Sequence, residues 1–132
     1  MLRRKRLPAP LRDAHRTFQE VTEHLARAHA ALAEAAPTTR FAGRPLPDAL
    51  VIFEEELRAA LTGMQGWRTP ELTAVWDRCL EGLSASLSAA ERLRLEAPPI
   101  AGFEALIGTI DGLLAPLDPF EEASERFRRL RR

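Results

Sequence analysis

The fold is decided by residues 11–35, which read LRDAHRTFQEVTEHLARAHAALAEA. Large apolar side chains recur every seven residues along this stretch, and smaller ones follow three positions after each. The large positions are Leu11, Phe18, Leu25 and Leu32, and the smaller ones are Ala14, Val21, Ala28 and Ala35. Spacings of three and four place all eight on one face of a helix. The sequence therefore predicts a first helix over residues 10–36 that approaches a neighbouring helix closely.

Prolines divide the rest of the chain into further helical segments. Pro47 and Pro70 suit the first turn of a helix, whereas Pro98 and Pro99 must end one. The later helices are predicted at residues 47–66, 70–97, 99–115 and 119–131, and residues 1–9 form a basic N-terminal tail. No stretch alternates apolar and polar residues as a half-buried strand would.

Short connections between the later helices favour antiparallel neighbours. We therefore expect an all-α fold, an up-and-down antiparallel bundle of four main helices plus a short C-terminal amphipathic helix. A chain of 132 residues has the length of one domain, so the whole chain, residues 1–132, is predicted to form a single helical bundle.

Composition argues against a protein stabilised by internal disulfides and against one that spans a membrane. The chain is 45% hydrophobic and 29% charged, as in an ordinary globular domain. Its one cysteine, Cys79, cannot form an intramolecular disulfide, and its apolar neighbours favour a buried thiol. No apolar run approaches the roughly 20 residues that span a bilayer, and we expect no membrane span.

The N-terminus and the arginine content give expectations about location and source. Residues 1–6 are charged like the start of a signal peptide, but Arg12 and Asp13 come before any apolar segment. We therefore expect a cytoplasmic protein. Arginine outnumbers lysine by 18 to 1 and alanine is abundant, which favours a bacterial source.

The formal net charge of zero hides a segregation of charge along the chain. Residues 1–16 carry six basic side chains and one acid, and residues 126–132 carry five basic side chains and no acid, which leaves the 109 residues between them at −10. The candidate residues for binding an anion or a partner are Arg3, Arg4, Lys5, Arg6, Arg128, Arg129, Arg131 and Arg132. These ends could bind nucleic acid or an anionic surface, cover an acidic patch of the protein, or only aid solubility.

A stripe of small residues on the fourth helix is a candidate interaction surface. Its members are Ala101, Ala105, Gly108 and Gly112. The two glycines together oppose helix formation by about 2 kcal/mol relative to alanine, so some contact should offset them. The stripe either packs on the first or second helix of the same chain or receives a second copy or a partner helix.

The loop from Pro37 to Pro47 is a second candidate interaction site. It presents Arg40, Phe41 and Arg44 among residues that cannot continue a helix. An aromatic ring between two arginines suits a docking point, although Phe41 could instead fold back over one end of the bundle.

No catalytic or metal-binding pattern is present in the sequence, and we expect no enzyme activity and no cofactor. All three histidines lie in the first helix, and His15 and His29 are about 21 Å apart along it at ~1.5 Å per residue. Ser84, Ser86 and Ser88 lack a nucleophile elbow and are interpreted as surface or capping serines. The three acids at positions 54–56 are interpreted as a solvated helix face.

Three functions follow as hypotheses. The first is a non-enzymatic protein–protein interaction or assembly module, homo-oligomeric, whose partner is a second copy or another protein. The second is a regulator that contacts nucleic acid through its basic termini, and a basic surface formed by the two termini together would favour it. The third is a helical bundle that binds a small molecule or a metal, which a cavity lined with titratable groups would favour.

Overall fold

The computed structural model describes residues 6–36 and 44–131, and within these ranges the chain contains helices and turns but no β-strand. The α-helices are α1 (Ala9–Ala35), α2 (Leu46–Gly63), α3 (Thr73–Glu96), α4 (Gly102–Leu114) and α5 (Pro119–Arg129). Two short 3-10 turns, Met64–Trp67 and Pro70–Leu72, lie between α2 and α3, and a third, Ala115–Leu117, joins α4 to α5. The expected all-α, up-and-down antiparallel bundle with a short C-terminal helix is confirmed.

The apolar face of α1 forms the largest helix contact of the bundle. Seven of its eight seam positions are buried, and Leu25 is half-buried. This face packs along α2 and the turn that follows α2. Close approach at this turn depends on glycine, because a Cβ at Gly63 would lie 2.8 Å from Val21 and one at Gly66 would overlap Thr17.

An aromatic cluster joins α1 to the C-terminal helix. The ring of Phe18 lies 4.9 Å from the rings of both Trp67 and Phe127, measured between centroids. Phe120 lies 6.3 Å from Trp67. The Nε1 group of Trp76 donates a hydrogen bond of 2.8 Å to the carbonyl oxygen of Met64. Because Phe120 and Phe127 of α5 lie in this cluster, α5 belongs to the core, although it is short.

The helix boundaries between α3 and α4 differ from those predicted. α3 continues through Ser86 and ends at Glu96, after which Ala97 adopts a left-handed conformation with φ of 43°. The right-handed helical conformation is disfavoured for a residue that precedes proline. This applies to Ala97 before Pro98 and to Pro98 before Pro99. Ala101 is extended, so α4 begins at Gly102 and not at residue 99.

α4 lies at the edge of the bundle. It packs mainly on α3 and on the turn that follows α4. Only Ile110 and Leu113 of this helix are buried. Its first turn lies next to the end of α3 and the start of α2, and its outer face is exposed.

Candidate functional site

The outer face of α4, defined by Ala101, Ala105, Gly108 and Gly112, points into solvent. All four residues are exposed, and a Cβ at Gly108 or Gly112 would meet no atom within 4 Å. The alternative in which this stripe packs on the first or second helix of the same chain is therefore wrong for the described residues. Among residues 6–36 and 44–131, no side chain or backbone contact explains the glycines of α4.

Large apolar side chains are also exposed at the end of α3 and at the start of α4. Phe103 at the start of α4 is 57% exposed, and Leu95 in the last turn of α3 is 73% exposed. Both would lose unfavourable contact with water if another molecule covered them.

A cavity of about 530 Å³ lies where the start of α2, the end of α3 and the start of α4 meet. Its apolar wall includes Leu46, Leu50, Leu93, Ile100, Phe103 and Leu106. Arg94 is the one charged residue among the described residues that line it. The cavity depends on the late start of α4, because the extended residues after Pro98 separate α3 from the first turn of α4.

Arg94 is held by a buried carboxylate of α2. Its Nε and Nη2 groups donate hydrogen bonds of 2.5 and 2.9 Å to the two oxygens of Glu54, whose side chain is 1% exposed. Arg58 donates a further bond of 3.3 Å to Glu54 and one of 3.0 Å to Glu91. The hydrogen bonds and charge of Glu54 raise the pKa of Arg94.

This cluster corrects the interpretation of residues 54–56 as a solvated face. Glu55 is exposed, but Glu54 is buried in an ion pair and Glu56 is half-buried. Burial alone would raise the pKa of Glu56, but the hydrogen bonds from His24, at 2.6 Å, and from Arg27 outweigh it and lower this pKa.

The two ends of the described chain lie close together and form a basic end. The ring of His15 in α1 lies 4.9 Å from the ring of Phe127 in α5, and the charge of Arg131 adds to burial in lowering the pKa of His15. Arg6, Arg12, Arg129 and Arg131 are exposed and form no ion pair within residues 6–36 and 44–131.

Some charge of the basic end is neutralised locally. Arg16 pairs with Asp13, and Arg128 pairs with Glu125 at 2.7 Å. The remaining candidate residues of the termini, Arg3, Arg4, Lys5 and Arg132, lie outside the described residues.

The loop before α2 is described only from Arg44 onward, and Arg40 and Phe41 lie outside the described residues. Arg44 is anchored to the end of α1. Its backbone N–H donates to the carbonyl oxygen of Glu34 at 2.8 Å, and its Nε donates to the Glu34 carboxylate at 2.9 Å. Arg44 thus has a structural contact in addition to its candidate role in docking.

Besides the cavity, a groove of about 720 Å³ lies between α1 and residues 114–124. His15 and His29 line it together with Asp118 and Glu121. No group of three or more histidine, cysteine, aspartate or glutamate side chains within the described ranges is arranged to hold a metal ion.

The nucleophilic side chains have structural surroundings. Burial raises the pKa of the Cys79 thiol to about 12. The interpretation of Ser86 as a surface or capping serine is wrong, because it is buried inside α3 and its hydroxyl donates a hydrogen bond of 2.6 Å to the carbonyl oxygen of Leu113 in α4. Ser84 and Ser88 are exposed, as expected.

No helix in the part of the chain that the structure describes is long and apolar enough to cross a membrane. The chain matches no protein-family model, and comparison with curated proteins and with solved structures gives no significant match.

Proposed function

We propose that this chain is a non-enzymatic protein–protein interaction or assembly module that binds through the outer face of α4. The proposal rests on the exposure of Gly108 and Gly112 in α4. Glycine destabilises a helix relative to alanine, so these positions call for an explanation. Two exposed helical glycines cost about 2 kcal/mol relative to alanine, and no contact among the described residues offsets this. A partner helix that approaches closely would do so, because small residues allow two backbones to come together.

Charge supports a second copy of this chain as the partner. The outer face of α4 is flanked by the acids Glu104 and Asp111, whereas the basic end carries Arg129 and Arg131 without ion pairs among the described residues. The basic end of one copy is complementary to the acidic flank of α4 in another. A contact between different surfaces of two copies builds a ring or a longer assembly, so more than two copies can associate.

The experiment is sedimentation velocity on wild type and Gly108→Leu over a range of protein concentrations and salt. We expect wild type to self-associate and the variant to be shifted towards the monomer. Because the position is open and leucine favours a helix more than glycine does, the variant should lose no thermal stability as a monomer and should gain slightly. Ala89→Leu, an exposed position on α3, is the matched control and should associate like wild type. A monomeric wild type at every concentration would contradict self-assembly.

A second candidate function is contact with nucleic acid through the basic end. The proximity of the two ends, marked by the 4.9 Å separation of the His15 and Phe127 rings, favours this function because it gathers arginines from both ends of the chain. Phosphate contacts are sequence-independent and weaken with salt, with a log–log slope of about −0.9 per phosphate on duplex DNA.

Titration of a mixed-sequence duplex DNA at several salt concentrations tests this function. We expect Arg129→Ser together with Arg131→Ser to weaken binding and to make the salt slope shallower by about two phosphate contacts. Arg92→Ser removes an exposed arginine from α3 and is the control. Absence of binding by wild type, or equal weakening by the control, would count against this function.

A further inference from the structure

The cavity between α2, α3 and α4 is distinct from the outer face of α4 and from the basic end. Leu46 and Leu50 of α2 form one side of its wall, and Phe103 and Leu106 of α4 form another. Its volume of about 530 Å³ is within the range of pockets that hold small molecules, about 300–1,000 Å³. An apolar wall of this size favours a ligand with a hydrocarbon body.

One positive charge lies in this apolar wall at a fixed position. The two hydrogen bonds to Glu54 use the Nε and Nη2 groups of Arg94 and hold its guanidinium in the plane of the carboxylate. The Nη1 group donates no hydrogen bond to a described residue, and the Arg94 side chain remains 33% exposed. The cavity therefore presents N–H donors that carry positive charge and are held in place before a ligand arrives.

Glu54 balances the charge of Arg94, so the preference for an anionic group rests on the remaining N–H donors of Arg94 and on the nearby helix ends. The first turns of α2 and α4 adjoin the cavity, and neither has a side-chain cap, so both present the positive end of a helix dipole. The acids of these turns, Asp48 and Glu104, are exposed and do not line the cavity.

We infer that the cavity binds a medium-chain fatty carboxylate. The carboxylate accepts hydrogen bonds from Nη1 of Arg94, and the hydrocarbon chain lies against Leu50, Phe103 and Leu106. Glu54 acts as a positioning residue, since it holds Arg94 and does not touch the ligand. This binding is independent of self-association through the outer face of α4.

Calorimetric titration with decanoate and decanol, each below the concentration at which it aggregates, tests the inference on the full chain. We expect decanoate to bind saturably with one molecule per chain. Decanol should bind about tenfold more weakly or worse, because hydrogen bonds to a charged group are stronger than neutral ones. Failure of decanoate to bind, or equal binding of decanol, would overturn the inference.

Three variants, one of them a control, locate the site. Ile100→Trp fills the cavity and should abolish decanoate binding. Leu95→Trp, at a position that is 73% exposed and does not line the cavity, should bind like wild type. Glu54→Met with Arg94→Met removes the guanidinium donors from the cavity wall while replacing both partners of the ion pair, so the fold is kept. This double variant should bind decanoate no better than decanol. Unchanged binding by Ile100→Trp, or retained preference in the double variant, would place the ligand elsewhere.

Discussion

Glycine shows how far single residues can be interpreted from sequence. The two glycines of α4 are conspicuous because they follow alanines at helical spacing, but nothing lies within 4 Å of their Cβ positions. Gly82 has the opposite character. A Cβ there would overlap the carbonyl oxygen of Pro116, in a turn far along the chain, and no local pattern indicates this contact. A sequence pattern describes residues that are close along the chain, so it does not predict close packing between distant segments.

Substitution of alanine at these two positions should change stability in opposite directions. Gly82→Ala should lower the free energy of unfolding by roughly 1–3 kcal/mol, because the backbone of Pro116 cannot yield cheaply. Gly108→Ala should raise it by about 0.5–1 kcal/mol, since alanine favours an open helical position. Urea unfolding at low protein concentration measures both. A stabilised Gly82→Ala would contradict the packing at Gly82, and a destabilised Gly108→Ala would contradict the open position of Gly108.

His15 should make stability depend on pH. Burial and the charge of Arg131 lower its pKa below 6.5, so the unfolded chain binds a proton more readily than the folded one. Stability should therefore fall as the pH decreases through about 6.5, while His15→Gln removes this contribution. Denaturant unfolding at about pH 5 and 8 makes the comparison. His29→Gln is the control on the same helix and should retain the pH dependence assigned to His15.

At the scale of elements, the sequence predicts the buried faces that follow from residue spacing along one helix. It does not predict the contacts that form where the ends of different helices meet. The seam of α1 follows directly from its heptads. Glu54 could have been placed in the core, because it lies four residues after Leu50 and three before Leu57, both buried. Its charge suggested a solvated side chain instead. The cavity could not be predicted, since it requires the extended residues before Gly102 and a partner, Arg94, from another helix.

Glu54 and Arg94 form the ion pair between α2 and α3, and the effect on stability of replacing one of them should depend strongly on whether the other is present. Arg94→Met leaves the buried carboxylate of Glu54 with only Arg58, at 3.3 Å, among the described residues, and we expect a clear loss of stability because one partner of the pair is removed. Glu54→Met together with Arg94→Met should restore stability to near wild type, because no unpaired charge stays buried. Thermal and urea unfolding give the two values. Additive losses in the double variant would show that the pair is not coupled.

At the scale of the molecule, α1, α2 and the aromatic cluster form the densely packed part, and α4 is attached at the edge. Ile110 and Leu113 are its only buried side chains, and the hydrogen bond from Ser86 to Leu113 ties its last turn to α3. A groove lies between α1 and the chain that follows Leu114. The helix that presents the proposed interaction face is thus the one with the fewest buried apolar side chains among the four main helices.

This arrangement predicts uneven protection of backbone amides from hydrogen exchange. Segments with few buried contacts open at a lower free energy than the core. The amides of residues 104–109 in α4 should therefore exchange faster than those of residues 53–60 in α2, whose helix buries Phe53, Leu57 and Ala60. Exchange followed by mass spectrometry at low concentration tests the free chain. At concentrations where the protein self-associates, protection in α4 should rise while that of α2 stays the same, because α4, unlike α2, gains a covering surface in the proposed contact. Equal protection of α2 and α4 in the dilute protein would mean that α4 is as firmly held as the core, and the exposed glycines would then need another explanation.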